Sequence, residues 1–244
     1  MNQKNEGGCN QILKKNLVDC QNFLILSNAV RLFKTVRSKY QRDVNMGSKE
    51  RIHRLKENTR INILDAAHDI VKEEGWQALS MRKIADKIEY TAPIIYEYYA
   101  NKEAILLELT KKGFMLLSAR MQEAKDKYTD LADQLEAMWL AYWNFAFAEK
   151  EYYQLMFGVE VNCCIMDEIL PPGSTPYDIA AGPIAEMMGI SDPEDDRVCT
   201  KYYTYWSIIH GLISINIVRK GTSDEINRQI LKDAITGITR SLKN

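Results

Sequence analysis

The chain is 244 residues long, 46% of them hydrophobic, with only 12 glycines and 6 prolines, which is ample for a packed core in one large domain or two modest ones. The formal net charge of −1 hides an asymmetry. Residues 1–45 carry eight Lys/Arg against three Asp/Glu, residues 46–102 ten against nine, and residues 103–244 fourteen against twenty-one, a balance that suits contact with nucleic acid at one end only.

Ala, Leu, Ile, Lys and Glu are common and no stretch alternates with period two, so the composition predicts an all-α fold. Five cysteines, Cys9, Cys20, Cys163, Cys164 and Cys199, lack C-x-x-C spacing and read as reduced thiols. The apolar run Phe23–Leu26, with Ala29 and Val30 beyond, is too short for a membrane span and lacks a cleavage site, so a cytoplasmic protein is expected.

Residues 1–45 give no firm fold signal, although Leu17–Tyr40 has the makings of a helix, and Met46 before a charged lead-in is a candidate natural start. Lys49, Arg51, Arg54, Lys56 and Arg60 then form either a solvated face or a flexible arm on a DNA backbone. Ile63, Ala66, Ala67 and Ile70 follow the helical period, and Gly75 is a natural stop with Trp76 packing back over the end. Next, Ser80 can cap a helix whose Met81, Ile84, Ala85 and Ile88 share one face. Thr91 can cap a second short helix, with Pro93 in its tolerant first turn. There Ala92, Ile95 and Tyr99 share a face and leave Pro93, Ile94, Glu97 and Tyr98 pointing the other way. A helix that spends Ile and Tyr outward gains nothing in water, whereas entry into a DNA major groove gives those residues a use.

From Arg60 to Gly113 the sequence resembles the N-terminal domain of the tetracycline-repressor (TetR) family of transcriptional regulators. The resemblance rests on Ile63-Leu64-x-Ala66-Ala67, Gly75 before an aromatic, Ile84-Ala85, Tyr96-x-x-Tyr99 and Asn101-Lys102-Glu103. It departs at Glu89, where the family usually has Gly, so either the turn is reshaped or Glu89 tolerates a positive φ. The resemblance implies a three-helix helix-turn-helix DNA-binding domain at 46–105 and a helical ligand-binding and dimerisation domain at 106–244, after an N-terminal extension of 1–45. It also implies contacts to double-stranded DNA. Arg82 and Lys83 would straddle the backbone, while Thr91, Ala92 and Pro93 open the reading helix. Ile94 and Glu97 would face base edges, and Tyr96, Tyr98 and Lys102 would reach phosphates.

Farther along, a helix from Asn101, with Glu103 in its first turn, to about Lys127 is followed by a break at Tyr128–Asp130 and a helix over Leu131–Ala148. Trp139, Tyr142, Trp143, Tyr153 and Phe157 crowd this region. Such a stripe serves as plain core, but its density argues for a small-molecule cavity. Pro171–Pro176 is a loop, Ile179–Met188 a helix, and Asp192-Pro193-Glu194 opens a helix that should run to Lys220 and stop at Gly221. Thr222 and Glu225 make a capping pair for the last helix. Trp206-x-x-x-His210-Gly211 resembles a Trp-His-Gly signature of a subset of the family, and adds Trp206 and His210 to the candidate ligand contacts; for His210 a core role is the competing reading. Ile213, Ile217, Ile226, Ile230, Ile235 and Ile238 are candidates for a four-helix homodimer interface.

The three histidines stand at no metal-ligand spacing, and no phosphate loop or nucleophile elbow is present. Neither an enzyme, a metal site, a cofactor nor a membrane partner is expected. By resemblance the chain is a repressor, released from a near-palindromic operator by a small hydrophobic or aromatic effector. The competing readings are a helical small-molecule-binding or scaffolding protein whose DNA module has lapsed, and a helical enzyme acting on a hydrophobic substrate.

Overall fold

The computed structural model describes residues 47–158, 170–219 and 223–243. Expectations placed on residues 1–45, Met46, Leu17–Tyr40, Cys163, Cys164 and the Lys220–Thr222 junction lie outside them. Among the described residues the fold is all-α, without a strand. The helices are α1 (Ser48–Glu74), α2 (Met81–Lys87), α3 (Ala92–Tyr98), α4 (Lys102–Lys125), α5 (Leu131–Ala148), α6 (Lys150–Phe157), α7 (Pro176–Met187), α8 (Asp196–Arg219) and α9 (Asp224–Ser241).

The chain divides into two compact units at Thr59 and Arg60. In the first, the side chains from Ser48 to Asn58 are exposed, and the Thr59 hydroxyl donates to the Leu55 carbonyl at 2.9 Å. The basic lead-in is therefore helical and not a flexible arm. Glu50 and Arg54 stand four apart on it without an intervening Gly or Pro, a spacing that supports a helix.

From Arg60 onward a single buried cluster runs from Ile63 to Leu242. The boundary expected at 105/106 falls inside α4, which runs on from one side of it to the other. Gly75 ends α1 at φ 85°, a conformation that only glycine adopts cheaply. Ser80 caps α2 by accepting from the Lys83 N–H, and Asn101 caps α4 by accepting from the Ala104 N–H. Asp130 caps α5 through two backbone N–H groups. Two helix starts lie later than expected. Asp192 accepts only from the Glu194 N–H in a turn, and α8 begins after Asp195, whose carboxylate takes the Arg197 N–H and both guanidinium arms. For α9 the cap is Ser223, which accepts from the Ile226 N–H.

Glu89 settles the question of the turn. It sits at φ 58°, directly after α2, with Tyr90 N–H donating to the Ala85 carbonyl at 2.9 Å and Glu89 N–H to the Asp86 carbonyl at 3.4 Å. This is a Schellman cap of ordinary form carrying Glu where Gly is favoured. Left-handed backbone costs an L-residue about 1–2 kcal/mol, and glycine's extra chain entropy offsets part of that. Glu89→Gly should therefore raise unfolding stability by about 0.5–1 kcal/mol, read by urea denaturation; a loss would show that the Glu89 side chain is itself needed.

α4 packs on α5, α6 and α7, and α8 packs on α5, α7 and α9. Asn216 and Asn227 exchange amide hydrogen bonds at 3.1 and 2.8 Å between α8 and α9, and Tyr205 bonds Thr239 at 2.7 Å. Polar pairs of this kind fix which turns of two helices meet.

Candidate DNA-reading head and effector cavity

The head is built on α1. Met81, Ile84 and Ala85 bury one face of α2, Ile95 with Tyr99 bury α3, and the two short helices pack on each other. Lys83 reaches Glu74 at 2.6 Å and Lys87 reaches Glu73 at 3.1 Å, exposed pairs that orient α2 but contribute at most about 1 kcal/mol each. Arg82, Lys83, Thr91, Pro93, Tyr96 and Glu97 are exposed, forming one polar surface with an aromatic in it.

Four expected contacts are placed differently. Tyr98 is half-buried against the core, because it lies one turn on from fully buried Ile95; Tyr96, 54% exposed, is the aromatic that α3 offers to solvent. Ala92 also packs inward, and Ile94 is half-buried. Lys102 turns its ammonium onto the Trp76 carbonyl at 3.1 Å, tying the start of α4 to the turn after α1.

In the body, a cavity of about 450 Å³ opens between three segments distant in sequence. Gly75, Trp76 and Gln77 come from the turn after α1, Tyr153, Gln154 and Phe157 from α6, and His210, Ser214, Ile217 and Val218 from α8. The volume lies within the range of small-molecule sites, about 300–1,000 Å³. Behind the His210 ring is a polar relay. Trp206 stacks on it, with ring centroids 4.8 Å apart, and donates its indole N–H to the Tyr142 hydroxyl at 3.1 Å. The Tyr142 and Tyr153 hydroxyls approach His210 Nδ1 at 3.4 and 2.5 Å. Burial lowers the His210 pKa and raises those of Tyr142 and Tyr153, so the imidazole is neutral and the phenols keep their protons.

Of the expected ligand contacts, Tyr153, Phe157 and His210 line this cavity, and Tyr142 and Trp206 hold His210 from behind. Trp139 does not line it: it is fully buried, stacked on Tyr205 at 5.2 Å and packed against Tyr202. Trp143 lies on another flank of α5, against exposed Phe147 at 4.7 Å. The sequence reading missed Trp76, Gln77, Gln154, Ser214, Ile217 and Val218. Ser214, Ile217 and Val218 follow His210 at i+4, i+7 and i+8, and that spacing would have found them.

α6 links the cavity to the head. Tyr153 and Phe157 face the cavity, while the neighbouring Tyr152 stacks on His68 of α1 with ring centroids 4.3 Å apart. On α4, a Cβ at Gly113 would stand 2.7 Å from Met156 Sδ, so the absent side chain gives Met156 of α6 its place against α4. Phe114 of α4 meets Phe157 edge-on at 5.6 Å.

No described helix is long and apolar enough to cross a membrane, and the described residues hold no cluster of His, Cys, Asp or Glu fit for a metal ion. Residues 63–109 match the model of bacterial regulatory proteins of the tetR family, and residues 135–230 match that of the tetracyclin repressor-like C-terminal domain. Among curated proteins, the chain is 26% identical over 112 residues to the HTH-type transcriptional activator FasR of Mycolicibacterium smegmatis, covering 46% of this chain and 51% of that one. It is 36% identical over 70 residues to the fatty acid metabolism regulator protein of Bacillus subtilis, covering 28% and 36%. The chain thus spans about half or less of the length of the curated relatives it matches. A solved TetR-family transcriptional regulator from Haemophilus influenzae shares the fold, with a TM-score of 0.54 at 19% identity over 75% of this chain and 97% of that one.

Proposed function

Because this chain belongs to the TetR family of transcriptional regulators, we propose that it is a homodimeric, cytoplasmic repressor that leaves a near-palindromic operator when a small apolar or aromatic effector fills the cavity. The observation that carries this reading is the cavity's wall, shared between the turn after α1 in the head and α6 and α8 in the body.

The reading head works as a positioned surface. Arg82 and Lys83 at the start of α2 meet the backbone of duplex DNA, which positions but does not specify. Pro93, Ile94 and Glu97 face base edges from α3, with Thr91, Ala92 and Tyr98 supporting them and Tyr96 reaching a phosphate. Glu97 accepts from a cytosine amino group while repelling phosphate, so it sharpens choice at some loss of affinity. Lys102 acts at one remove, through the Trp76 carbonyl.

The dimer forms through the outer faces of α8 and α9. Ile208, Ile215, Ile226 and Ile230 are exposed there, whereas Ile213, Ile235 and Ile238, expected at the interface, are buried within the subunit. Two heads related by a two-fold axis then meet successive major grooves roughly 34–36 Å apart. An effector that displaces Tyr153 and Phe157 moves α6, and Tyr152 and Met156 carry that movement to α1 and α4. A swing in occupancy from about 99% to about 1% needs a preference of about 5.5 kcal/mol for the released geometry.

Selection of genomic fragments by the purified protein tests the reading. A two-fold symmetric consensus is expected, bound in a salt-dependent way, and Arg82→Ala should reduce the log–log salt slope by about one unit on every duplex. Glu97→Gln should change the selected consensus more than the affinity. Capture of random sequence without symmetry would sink the operator reading.

A further inference from the structure

The relay around His210 fixes the polarity of what the cavity binds. The indole N–H of Trp206 can only donate, so the Tyr142 oxygen that receives it at 3.1 Å is an acceptor, and the Tyr142 proton is left to point onward. Tyr142 and Tyr153 both bring hydroxyls to His210 Nδ1. Both are protonated phenols, and the half-buried imidazole is neutral. The arrangement that gives each proton its own acceptor passes the Tyr142 proton to the Tyr153 hydroxyl and the Tyr153 proton to the single lone pair of Nδ1, which leaves the ring proton on Nε2, a tautomer assigned from the hydrogen-bond network. Among the described residues Nε2 has no partner, and it is not among the buried polar atoms left unpaired. His210 therefore brings an N–H to the cavity it lines. Around this N–H the surface is aromatic and aliphatic, from Tyr153, Phe157, Ile217 and Val218.

We propose that the effector is an aromatic or apolar small molecule bearing a carbonyl oxygen, which accepts a hydrogen bond from His210 Nε2–H. This rests on the reading of the cavity as the effector site and adds the chemistry it selects. A hydrocarbon of the same shape fills the same space but leaves the imidazole N–H unpaired when water is excluded, and an unpaired donor is what a polar site discriminates against.

The test uses the full chain and two matched probes, propionyl-dimethylaminonaphthalene and its propyl analogue, which lacks the carbonyl oxygen. Titrations followed by probe fluorescence should show the ketone bound about five- to ten-fold more tightly, the ratio expected for one net hydrogen bond. In His210→Phe that preference should fall to within about twofold, and in His210→Gln, whose amide both accepts from Tyr153 and donates to the ligand, it should persist. Long-range proton–nitrogen spectra of the free protein should show the Nε2–H tautomer for the ring whose signals vanish in the His210 variants. If His210→Phe does not fold, Tyr153→Phe serves instead: removing the hydroxyl at Nδ1 should mix the tautomers and weaken the preference. An Nδ1–H tautomer, or equal affinity for the two probes in the unaltered protein, overturns this inference while leaving the cavity as a binding site. Saturable binding of neither probe overturns both.

Discussion

Placing aspartates at Ile215 and Ile230 together is expected to leave the subunit folded, convert the dimer to a monomer and lower operator affinity by about 10²–10⁴-fold. Ile215 and Ile230 are 55% and 38% exposed, on α8 and α9. Exposed positions tolerate polar substitution within about 0.5 kcal/mol, so the melting transition extrapolated to low protein concentration should barely move. In an assembled dimer, however, four carboxylates would be forced into an apolar four-helix contact. The affinity loss follows from valency: two heads on one operator gain from effective concentration, and a lone head does not. Sedimentation and operator titration on one preparation provide the check. A double variant that remains dimeric would move the interface off these faces. Ile235→Asp is the contrasting control, since Ile235 is 2% exposed and its loss should unfold the subunit.

His68→Ala should separate effector binding from DNA release. The His68 ring is a partly buried link, stacked on Tyr152 from the helix that also carries Tyr153 and Phe157 into the cavity. Its Nε2 is buried without a partner, and burial lowers its pKa, so the stack is between neutral rings. Removing the imidazole takes away the contact between α6 and α1 without touching the cavity lining or the exposed face of α3. Coupling between distant sites typically amounts to about 1–3 kcal/mol, or roughly 5- to 150-fold in affinity. The ratio of operator Kd with and without a saturating cavity ligand should therefore collapse to a few-fold in His68→Ala, with both separate affinities held within about threefold. An unchanged ratio would assign the coupling to the Gly113–Met156 and Phe114–Phe157 contacts with α4 instead.

Much of the architecture was legible before any coordinates. Ser80 caps the helix it was expected to cap, and α5 has the expected bounds, Leu131–Ala148, whereas Thr91 stands at the start of α3 without a capping bond from its side chain. Where such signals competed, the sequence was ambiguous. Asp192-Pro193 has the form of a helix start, yet Asp195 holds the stronger cap because its carboxylate also grips Arg197. For α9 the cap is Ser223, one residue after the expected Thr222.

By itself, the sequence determined the helices, the order of the head and body, and the buried stripe of α1 to α3, because caps and apolar periodicity act over a few residues of contiguous backbone. It did not determine which aromatics would be core and which would face a ligand. Trp139 and Tyr153 are equivalent as large rings on neighbouring helices, and only packing put Tyr205 over the one and His210 beside the other. Tertiary structure decided the cavity itself, the aromatic of α3 that reaches solvent, and the interior place of Ile213, Ile235 and Ile238. A cavity is the space that three chain segments leave when their long-range contacts are satisfied, and no local preference of residues 75–77, 153–157 or 210–218 encodes that space.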